Sequence, residues 1–570
     1  MPPGLLIGSD TGGTFTDFVR LDETGLRTWK VPSTPNDFAR GVLDGVKRLL
    51  ADPASRPAGV ELVHSTTVAT NALLERKGAR VALLTTRGFR DVLAIGRQAR
   101  HDLYDLHVVA PPPLVPDRLR LEVDERVSAE GKVLRALDPA RLERALDQAE
   151  AEGAESIAAC LLFSFMDPGH ERAIGEAVRR RGLPVSLSSV VSGELREYER
   201  TCTTVVDAYV GPGLARYLSR LAGGLREWGV DRLRVVHSNG GSVGWTATAG
   251  RSVHSVLSGP AAGVTGALAA AREALGDGPR IVTFDMGGTS TDVSLVDGAP
   301  RRLGEAVVGG VPLQVPMIDV HTIGAGGGSI AWIDPGGALR VGPESTGADP
   351  GPACYGDEDT PTVTDAHVVL GRLPPDRFLG GRMTLQPDRS WAALEALGRR
   401  MGVDARTAAE AVIEVVEAGM ERALRVVSVR RGHDPADFTL VSFGGAGGLH
   451  ACRLAEALGM RSVLVPREPG VLSALGAATS EVRREVARSV VCEVDAGMTG
   501  LAAAFDELHA RAAREMAEDG VSSADLVVTR SADLRYRGQT HALEVEYDPD
   551  PGRLSARFHA AHRHRFGHDE

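Results

Sequence analysis

The sequence has few cysteines and lacks the signals of a secreted or membrane protein. Its five cysteines are scattered, odd in number and without CxxC spacing, which excludes a cysteine-based zinc site and favours reduced thiols. No stretch reaches about 18 uninterrupted apolar residues, the length that a membrane-spanning helix needs. The opening residues, MPPGLLIGSD, have no basic region of the kind that begins a signal peptide. We therefore expect a cytoplasmic protein without a membrane span.

An excess of positive charge is also missing. The 570-residue chain has 64 Lys and Arg against 75 Asp and Glu, a formal net charge of -11, so we expect no nucleic-acid or anionic-membrane partner. The P-loop pattern GxxxxGK[ST] does not occur, although a nucleotide can still be bound by a few backbone N–H groups. At 43% apolar and 24% charged residues the composition is that of a globular protein, and the length predicts more than one domain.

One polar, glycine-rich phrase is present twice. SDTGGTFTDF begins at Ser9 and FDMGGTSTDV begins at Phe284, and aligned at their first Asp the two share Asp, Gly, Gly, Thr, Thr and Asp. Each copy lies between two apolar runs, so each predicts a β-hairpin with a Gly-Gly link. Two unrelated hairpins would not share so many positions, and the repeat therefore indicates a duplicated fold.

The residue types of the repeat suit a phosphate. Glycine gives the backbone access to positive φ and lets a ligand approach closely. Successive N–H groups of a turn form an anion site, to which Thr hydroxyls add donors. The Asp at the end of the first strand would repel phosphate, but it can hold Mg²⁺ through water or orient a nucleophile. Two facing hairpins would hold both ends of a polyphosphate.

A third glycine turn, FGGAGGLHA from Phe443 to Ala451, follows an apolar strand and opens a helix. Its bare backbone would accommodate an adenine ring or a ribose, although its spacing fails the GxGxxG fingerprint. Small residues fill two further segments, Gly259 to Ala270 and Leu472 to Ala478. Strands alternate with helices, which predicts an α/β fold. The order of these pieces resembles the actin/Hsp70/sugar-kinase ATPases, which implies two actin-like (ribonuclease H-like) lobes, a nucleotide cleft between them and two helices crossing at a hinge.

A closer resemblance covers about Gly8 to Arg483. It is carried by long strings, among them GSDTGGTFTDFV, HSTTVATNALLERKGARVALLTTRGFRDVL, EYERTCTTVVDAYVGP, LSGPAAGV, FDMGGTSTDVSLV, DVHTIGAGGGSIA, TDAHVVLGRL and FGGAGGLHA. These strings resemble the hydantoinase A/5-oxoprolinase family, which also contains acetone and acetophenone carboxylases. The resemblance implies an ATP-dependent enzyme subunit that works in an oligomer with a hydantoinase-B-type partner.

The resemblance also implies a domain division. We expect an N-terminal lobe with the first hairpin over 1–195 and a core lobe with the second hairpin and the third turn over 196–482. A C-terminal α+β segment would follow over 483–570, and it is shorter than the corresponding region of the family.

On this resemblance we assign site residues to the two hairpins and the third turn. Asp10 and Asp285 would be the catalytic residues, holding Mg²⁺ and orienting the nucleophile. The other expected contacts of ATP are Gly12, Gly13, Thr14, Gly287, Gly288 and Thr289 for phosphate, and Gly444, Gly445 and Gly447 for adenosine. Asp17 and Asp292 lie deeper on the return strands, and we expect them to bond the turn backbone.

Two other segments leave alternatives open. STTVATN contributes Thr67 and Asn71 as candidate substrate contacts, but threonines at a strand end also cap helices. Asp319 and His321 lie on one face of a predicted strand. They would either bind a metal or bond a neighbouring backbone, and we favour the second interpretation.

Three functions are compatible with these observations. The first is an ATP-dependent hydrolase subunit that opens a small cyclic amide, such as 5-oxoproline or a hydantoin, after phosphorylating the amide oxygen. The second is a ketone carboxylase subunit that uses ATP and bicarbonate. The third is a non-catalytic actin/Hsp70-like ATPase switch. The family-like strings extend well beyond the ATP loops, which disfavours the switch, and we favour the hydrolase.

Overall fold

The computed structural model describes residues 4–13, 15–23, 25–34, 37–50, 59–99, 104, 107, 111–356, 358–381 and 383–569. The chain forms two compact units. Unit 1 comprises Met1–Gly78, Val210–Gly309 and Val315–Glu481, and unit 2 comprises Ala79–Tyr209, Gly310–Gln314 and Val482–Glu570. The division into these units does not test the domain boundaries expected at 1–195, 196–482 and 483–570, and those boundaries stay a prediction. None of the helices in the described ranges combines the length and the hydropathy of a transmembrane span.

The helices alternate with strands along most of the chain. The α-helices are α1 (Phe38–Leu49), α2 (Val68–Leu74), α3 (Val92–Ile95), α4 (Pro139–Ala151), α5 (Gly169–Arg180), α6 (Ser188–Val191), α7 (Glu197–Glu227), α8 (Trp245–Gly250), α9 (Ser258–Leu275), α10 (Val363–Val369), α11 (Pro387–Met401), α12 (Ala405–Val427), α13 (Ala451–Ala457), α14 (Leu472–Thr479), α15 (Val494–Glu518) and α16 (Pro551–Phe566).

The strands are short. They are β1 (Leu5–Thr11), β2 (Phe15–Asp22), β3 (Gly25–Pro32), β4 (Val60–Thr66), β5 (Val81–Thr86), β6 (Arg120–Val123), β7 (Arg126–Val127), β8 (Val133–Arg135), β9 (Ser156–Cys160), β10 (Val185–Leu187), β11 (Val230–Val236), β12 (Ser242–Gly244), β13 (Arg280–Met286), β14 (Thr291–Asp297), β15 (Ala299–Pro300), β16 (Arg302–Leu303), β17 (Ala306–Val308), β18 (Val311–Leu313), β19 (Met317–Ile318), β20 (Val320–Ile323), β21 (Ser329–Ile333), β22 (Leu339–Ser345), β23 (Thr439–Phe443), β24 (Val463–Leu464), β25 (Ser531–Leu534) and β26 (Leu543–Glu546).

Unit 1 contains two sheets of the same design. The first has the order β12-β11-β4-β1-β2-β3 and the second β15-β14-β13-β23-β24, with β20 also beside β14. In each, the first hairpin is antiparallel, and its leading strand, β1 or β13, is parallel to the next strand on its other side, β4 or β23. Three antiparallel strands continued by parallel ones is the ribonuclease H-like order, and finding it twice confirms the predicted α/β fold of two actin-like lobes.

The two sheets of unit 1 have separate cores. Around the first sheet, Ile7, Phe18 and Leu62 are buried against α1 and α7. Around the second, Phe284 and Val293 are buried among the apolar residues of α12. Each such Leu, Ile or Phe stabilises the fold by about 1.5–3 kcal/mol when it is fully buried. Two cores in one unit are what a duplicated fold requires.

Helices α9 and α14 approach each other closely, as their small residues predict. A Cβ atom added to Gly476 would lie 1.9 Å from the carbonyl oxygen of Ala262, and one added to Gly266 would lie 2.4 Å from that of Leu472. A Cβ on Gly8 of β1 would meet the Ala474 carbonyl oxygen at 2.0 Å. No residue other than glycine fits at these positions without a backbone shift, so the predicted crossing is confirmed.

Unit 2 is built on a parallel sheet with the order β10-β9-β5-β6. Asp138 caps the N-terminus of helix α4, because its side chain accepts hydrogen bonds from the N–H groups of Ala140 and Arg141, and Pro139 takes the first helical position. In the C-terminal segment, α15, α16 and the β25–β26 hairpin enclose their own apolar cluster. In unit 1, β21 and β22 form an antiparallel pair of their own.

Candidate functional site

The two predicted hairpins form with the same register. Asp10 of β1 lies opposite Asp17 of β2. Asp285 of β13 lies opposite Asp292 of β14 in the same way. In both turns the first glycine closes the loop, because the N–H of Gly12 donates to the Phe15 carbonyl at 3.0 Å and the N–H of Gly287 donates to the Ser290 carbonyl at 3.0 Å. The repeat in the sequence is therefore a repeat in structure.

The four aspartates form one electrostatic group. Burial raises the pKa of Asp10 to about 7, a rise that the Ser65 hydroxyl opposes by donating to Oδ1 at 2.5 Å. Burial also raises the pKa of Asp285 well above its ordinary value, and the charges of Asp292, Asp10 and Asp17 add to that rise. Since the charge of Asp10 acts on Asp285, the two predicted catalytic residues lie within electrostatic range of each other.

Burial raises the pKa of Asp292 to about 6 and also raises that of Asp17. Contrary to expectation, neither residue bonds the turn backbone among the residues that the structure describes. Asp17 forms an ion pair with Lys30 of β3 at 2.7 Å, and Asp292 accepts a hydrogen bond from the Thr322 hydroxyl of β20 at 2.5 Å. The neighbouring strand, not the turn, supplies the partner in each lobe.

Lys30 was missed by the sequence analysis. Its Nζ atom also donates to the carbonyl oxygen of Gly470 at 2.5 Å, just before α14. Its positive charge opposes the rise of the pKa at Asp10, Asp17 and Asp285. Lys30 thus brings a positive charge to three of the four aspartates, and its position opposite Asp17 in the β2–β3 register would have been the signal for it.

The hairpin tips leave room for a ligand. A Cβ atom added to Gly13 would meet no other atom within 4 Å, and Gly288 and Thr289 are exposed. None of the four turn glycines has the expected positive φ; they are Gly12, Gly13, Gly287 and Gly288. These glycines therefore serve close approach alone. Thr14, which is also a predicted phosphate contact, lies outside the described residues.

The glycine run between β20 and β21, which includes residues 326–328, contacts the backbone of the second turn. The N–H groups of Gly327 and Gly328 donate to the carbonyl oxygens of Gly287 and Gly288 at 3.0 and 2.7 Å. A Cβ atom added to Gly326 would lie 2.6 Å from the backbone of Gly288. These contacts fix the orientation of the peptide groups in the turn.

The third glycine turn meets the second hairpin. Gly444 has a φ of 82°, which requires glycine, and a Cβ atom there would lie 2.4 Å from Asp285 Oδ1. Gly445 is exposed, whereas Gly447 is buried, with a Cβ position 3.0 Å from Ser442 Oγ. The structure thus brings Gly444 and Gly445 to the surface beside Asp285 and gives Gly447 a packing role.

Helix α9 begins at the first hairpin. A Cβ atom added to Gly259, in its first turn, would lie 3.4 Å from Asp10 Oδ1. The first turn of this helix carries no acidic residue. The N-terminus of an 18-residue helix favours negative charge, and this one lies beside the carboxylate that the hairpin presents.

Thr67 and Asn71 lie at the same edge of the first sheet. Strand β4 runs parallel to β1, with Ser65 beside Asp10, and Thr67 follows two residues later. Thr67 makes no side-chain capping bond at the start of α2, and its Oγ1 accepts a weak hydrogen bond from Asn71 Nδ2 at 3.4 Å. Both side chains are half-buried. A substrate role for them stays a prediction.

Asp319 pairs with two arginine side chains. Its Oδ1 accepts a hydrogen bond from Arg431 Nη2 at 2.8 Å, and Arg301 lies 3.7 Å from Oδ2. Burial and the nearby Arg431 lower the pKa of His321. Among the described residues, no three His, Cys, Asp or Glu side chains converge to hold a metal ion. Asp319 serves as the acidic partner of two arginines.

The predicted Mg²⁺ fits the hairpins. Mg²⁺ keeps several waters and is bound through one or two carboxylates together with substrate phosphates, so it does not need three protein ligands. Asp10 and Asp285 supply two carboxylates whose charges repel each other when no cation is present. They are the residues that would hold the ion.

Comparison with known proteins shows to which family the chain belongs. Residues 200–486 match the Hydantoinase/oxoprolinase family domain, and residues 6–182 match the Hydantoinase/oxoprolinase N-terminal region. The chain belongs to the hydantoinase/oxoprolinase family. The caprolactamase subunit alpha of Pseudomonas jessenii is 35% identical over 99% of this chain and 84% of its own. The 5-oxoprolinase of Saccharomyces cerevisiae is 34% identical over 99% of this chain, which spans only 48% of that protein.

Two solved structures have the same fold. The crystal structure of the ATP-dependent caprolactamase from Pseudomonas jessenii matches with a TM-score of 0.85 and 34% identity, covering 99% of this chain and 85% of that one. The nucleotide-free structure of acetone carboxylase, from work on ATP-dependent acetone carboxylation, matches with a TM-score of 0.81 and 29% identity over the same shares of the chains. The family thus includes both lactam-opening and ketone-carboxylating relatives.

Proposed function

We propose that the protein is an ATP-dependent hydrolase subunit that opens a small cyclic amide. The observation that carries the proposal is the pair of matched hairpins in unit 1, which place Asp10 and Asp285 within electrostatic range of each other. Gly444 lies directly against Asp285 on one side, and the first turn of α9 lies against Asp10 on the other. The arrangement suits a magnesium-bound triphosphate held between two turns.

The chemistry follows from the weakness of an amide as an electrophile. The amide oxygen attacks the γ-phosphorus of ATP, an O–P bond forms, and ADP leaves with the electrons of the broken P–O bond. A first water then adds to the activated carbon, and the C–N bond breaks as the ring nitrogen takes up a proton, which leaves an acyl phosphate. A second water hydrolyses this acyl phosphate to a carboxylate and inorganic phosphate. Such transfer needs positioning and charge neutralisation more than covalent help, which Asp10, Asp285 and Lys30 can provide.

The roles of the remaining residues follow from their positions. The turn N–H groups of Gly13 and Gly288, with Thr14 and Thr289, would bind phosphate, while Gly12 and Gly287 close the two turns. The turn at Gly444 and Gly445 would receive the adenosine. Bound Mg²⁺ would neutralise the charge of the phosphates. Thr67 and Asn71, at the edge where Asp10 lies, would contact the cyclic amide.

The named relatives support this class and a multi-subunit assembly. Caprolactamase and 5-oxoprolinase are named for cyclic amide substrates, and the former is named as a subunit. We propose a hydantoinase-B-type subunit as the partner. The likeness to acetone carboxylase favours a second candidate, ketone carboxylation driven by ATP.

Phosphate release separates the two candidates. The chain, co-purified with its B-type partner, is incubated with Mg-ATP and either 5-oxoproline, hydantoin or caprolactam, or a ketone with bicarbonate. We expect a cyclic amide to stimulate ATP hydrolysis. Stimulation only by ketone with bicarbonate would instead support the carboxylase.

Matched variants test the site itself. Asp10→Ala or Asp285→Ala should abolish substrate-stimulated ATP hydrolysis and leave the fold intact, because removing a buried carboxylate that is costly to ionise does not destabilise the chain. Asp297→Asn, at the far end of β14 and half exposed, should keep wild-type activity. Wild-type turnover in either alanine variant would overturn the assignment.

A further inference from the structure

Unit 2 contains a cavity that the proposed function does not use. Its volume is about 580 Å³. It lies where the strands of the parallel sheet end, because Ser164 and Phe165 follow β9 and Ser189 follows β10. The carboxyl ends of parallel strands are the usual ligand-binding edge of an α/β sheet. Cavities of about 300–1,000 Å³ are the size that small ligands occupy.

The floor of this cavity is held by internal hydrogen bonds. The buried Glu171 carboxylate accepts from the N–H of Leu161 at 3.0 Å, the hydroxyl of Ser188 at 2.6 Å and the N–H of Ser189 at 2.8 Å. Ser164 donates to the Leu161 carbonyl oxygen at 3.0 Å. The loop and the short helix that line the cavity are therefore fixed relative to each other.

The apolar wall is also fixed. The guanidinium of the buried Arg200 stacks on the Phe165 ring at 5.0 Å and donates to the Leu161 carbonyl oxygen at 2.7 Å. Met166 and Leu508 continue this wall. A ligand body of several carbons would find a preformed apolar surface there.

The lining also carries basic side chains. Arg488, Arg511 and Arg514 line the cavity, and Glu507 is the acidic residue among the lining side chains that the structure describes. Arg488 pairs with Glu507, and Arg511 pairs with Glu515 at 3.0 Å. The Arg514 side chain has no partner among the described residues.

The Ser189 hydroxyl is buried and unpartnered within the described part of the chain. The lining therefore carries excess positive charge and donors that are not satisfied internally.

We propose that this cavity binds a small organic carboxylate with an aliphatic or aromatic body. Arginine presents two parallel N–H donors that match a carboxylate, and Ser189 can add a third. The apolar wall of Phe165, Met166 and Leu508 selects against a fully hydrated ion such as inorganic phosphate. The site lies wholly in unit 2 and is independent of the ATP hairpins.

Isothermal titration of the full chain tests the proposal with hexanoate, hexylamine and inorganic phosphate as probes. We expect saturable one-to-one binding of hexanoate and none of hexylamine. Phosphate should neither bind at comparable concentration nor displace hexanoate. Absence of hexanoate binding to the wild-type chain, or equal binding of phosphate, would overturn the proposal.

Variants locate the binding. The double change R511Q/R514Q should weaken hexanoate binding at least about tenfold, since each charge-assisted hydrogen bond contributes about that factor. Ala510→Phe, at an exposed position of α15 that borders the cavity, should block it without changing charge. Arg565→Gln on α16 is the matched charge control and should bind normally.

Each variant is checked by its thermal unfolding. Wild-type hexanoate affinity in both R511Q/R514Q and Ala510→Phe would place the ligand elsewhere and refute the site. Asp10→Asn should bind hexanoate normally, so a failure of the proposed ATP site and a failure of this cavity can be told apart.

Discussion

Asp10→Asn should stabilise the nucleotide-free protein while it removes activity. In the folded chain the pKa of Asp10 is raised to about 7 from its ordinary value of 3.8. Because a tenfold change in a proton-binding constant corresponds to about 1.36 kcal/mol, the ionised carboxylate costs the fold about 4 kcal/mol at pH 8. Asp10 keeps part of its surface in solvent, and asparagine forms a weaker bond to Ser65. The measured gain should therefore be about 2 kcal/mol.

The difference in stability between the wild type and Asp10→Asn depends on pH between 3.8 and about 7. Below pH 3.8 the carboxyl is protonated in both states and costs nothing. As pH rises towards 7 the unfolded chain ionises while the folded chain stays protonated, so wild-type stability falls relative to the variant. The advantage of Asp10→Asn should grow over this range and level off above it.

Tryptophan fluorescence during urea unfolding measures this effect in unit 1. All five tryptophans of the chain lie there, so unit 2 does not contribute to the signal. Asp297→Asn is the control, because its partner Arg280 is 3.3 Å away at a half-exposed site where an ion pair contributes about 0–1 kcal/mol. A destabilised Asp10→Asn at pH 7.5, or an advantage that does not vary with pH, would refute the reasoning.

Three further perturbations test other parts of unit 1. Lys30→Met should lower substrate-stimulated ATP hydrolysis by about tenfold or more by removing a cation from the carboxylates, and Lys30→Arg should recover part of it in the same phosphate-release assay. Gly476→Ala should cost about 1–3 kcal/mol or prevent folding, because its Cβ would lie 1.9 Å from the Ala262 carbonyl oxygen. Gly223→Ala has no atom within 4 Å of its Cβ and should be neutral or stabilising in the same urea titration. Chelation of Mg²⁺ should abolish the rise in melting temperature that ATP produces, and an unchanged rise would contradict the metal assignment.

The hairpins could be predicted from the sequence because their information is local. Two apolar runs around Gly-Gly specify strand, turn and strand, and the repeat aligned Asp10 with Asp285 before any geometry was known. The small residues of α9 and α14 likewise predicted a close crossing, because only glycine permits the approach of Gly476 to Ala262.

The partners of the second pair of aspartates could not be predicted in this way. Asp17 meets Lys30 only after β3 has paired with β2, and Asp292 meets Thr322 only after β20 has joined the second sheet. Asp319 finds Arg431 across 112 positions of sequence. Such contacts depend on strand order and register. Neither the composition nor the spacing of residues along the chain gives the strand order or the register.

Four closely placed, partly buried carboxylates are an unfavourable arrangement in the absence of a cation. On the proposed function, a ligand that brings positive charge would relieve the repulsion among Asp10, Asp285 and their neighbours, so Mg²⁺ with its nucleotide would gain affinity that free ATP does not. Lys30 extends the effect, since it joins Asp17 to the Gly470 carbonyl, and the adjacent Pro469 carbonyl accepts the N–H of Gly444 at 3.0 Å. A change of charge at the first hairpin is thereby connected through single hydrogen bonds to the turn beside Asp285.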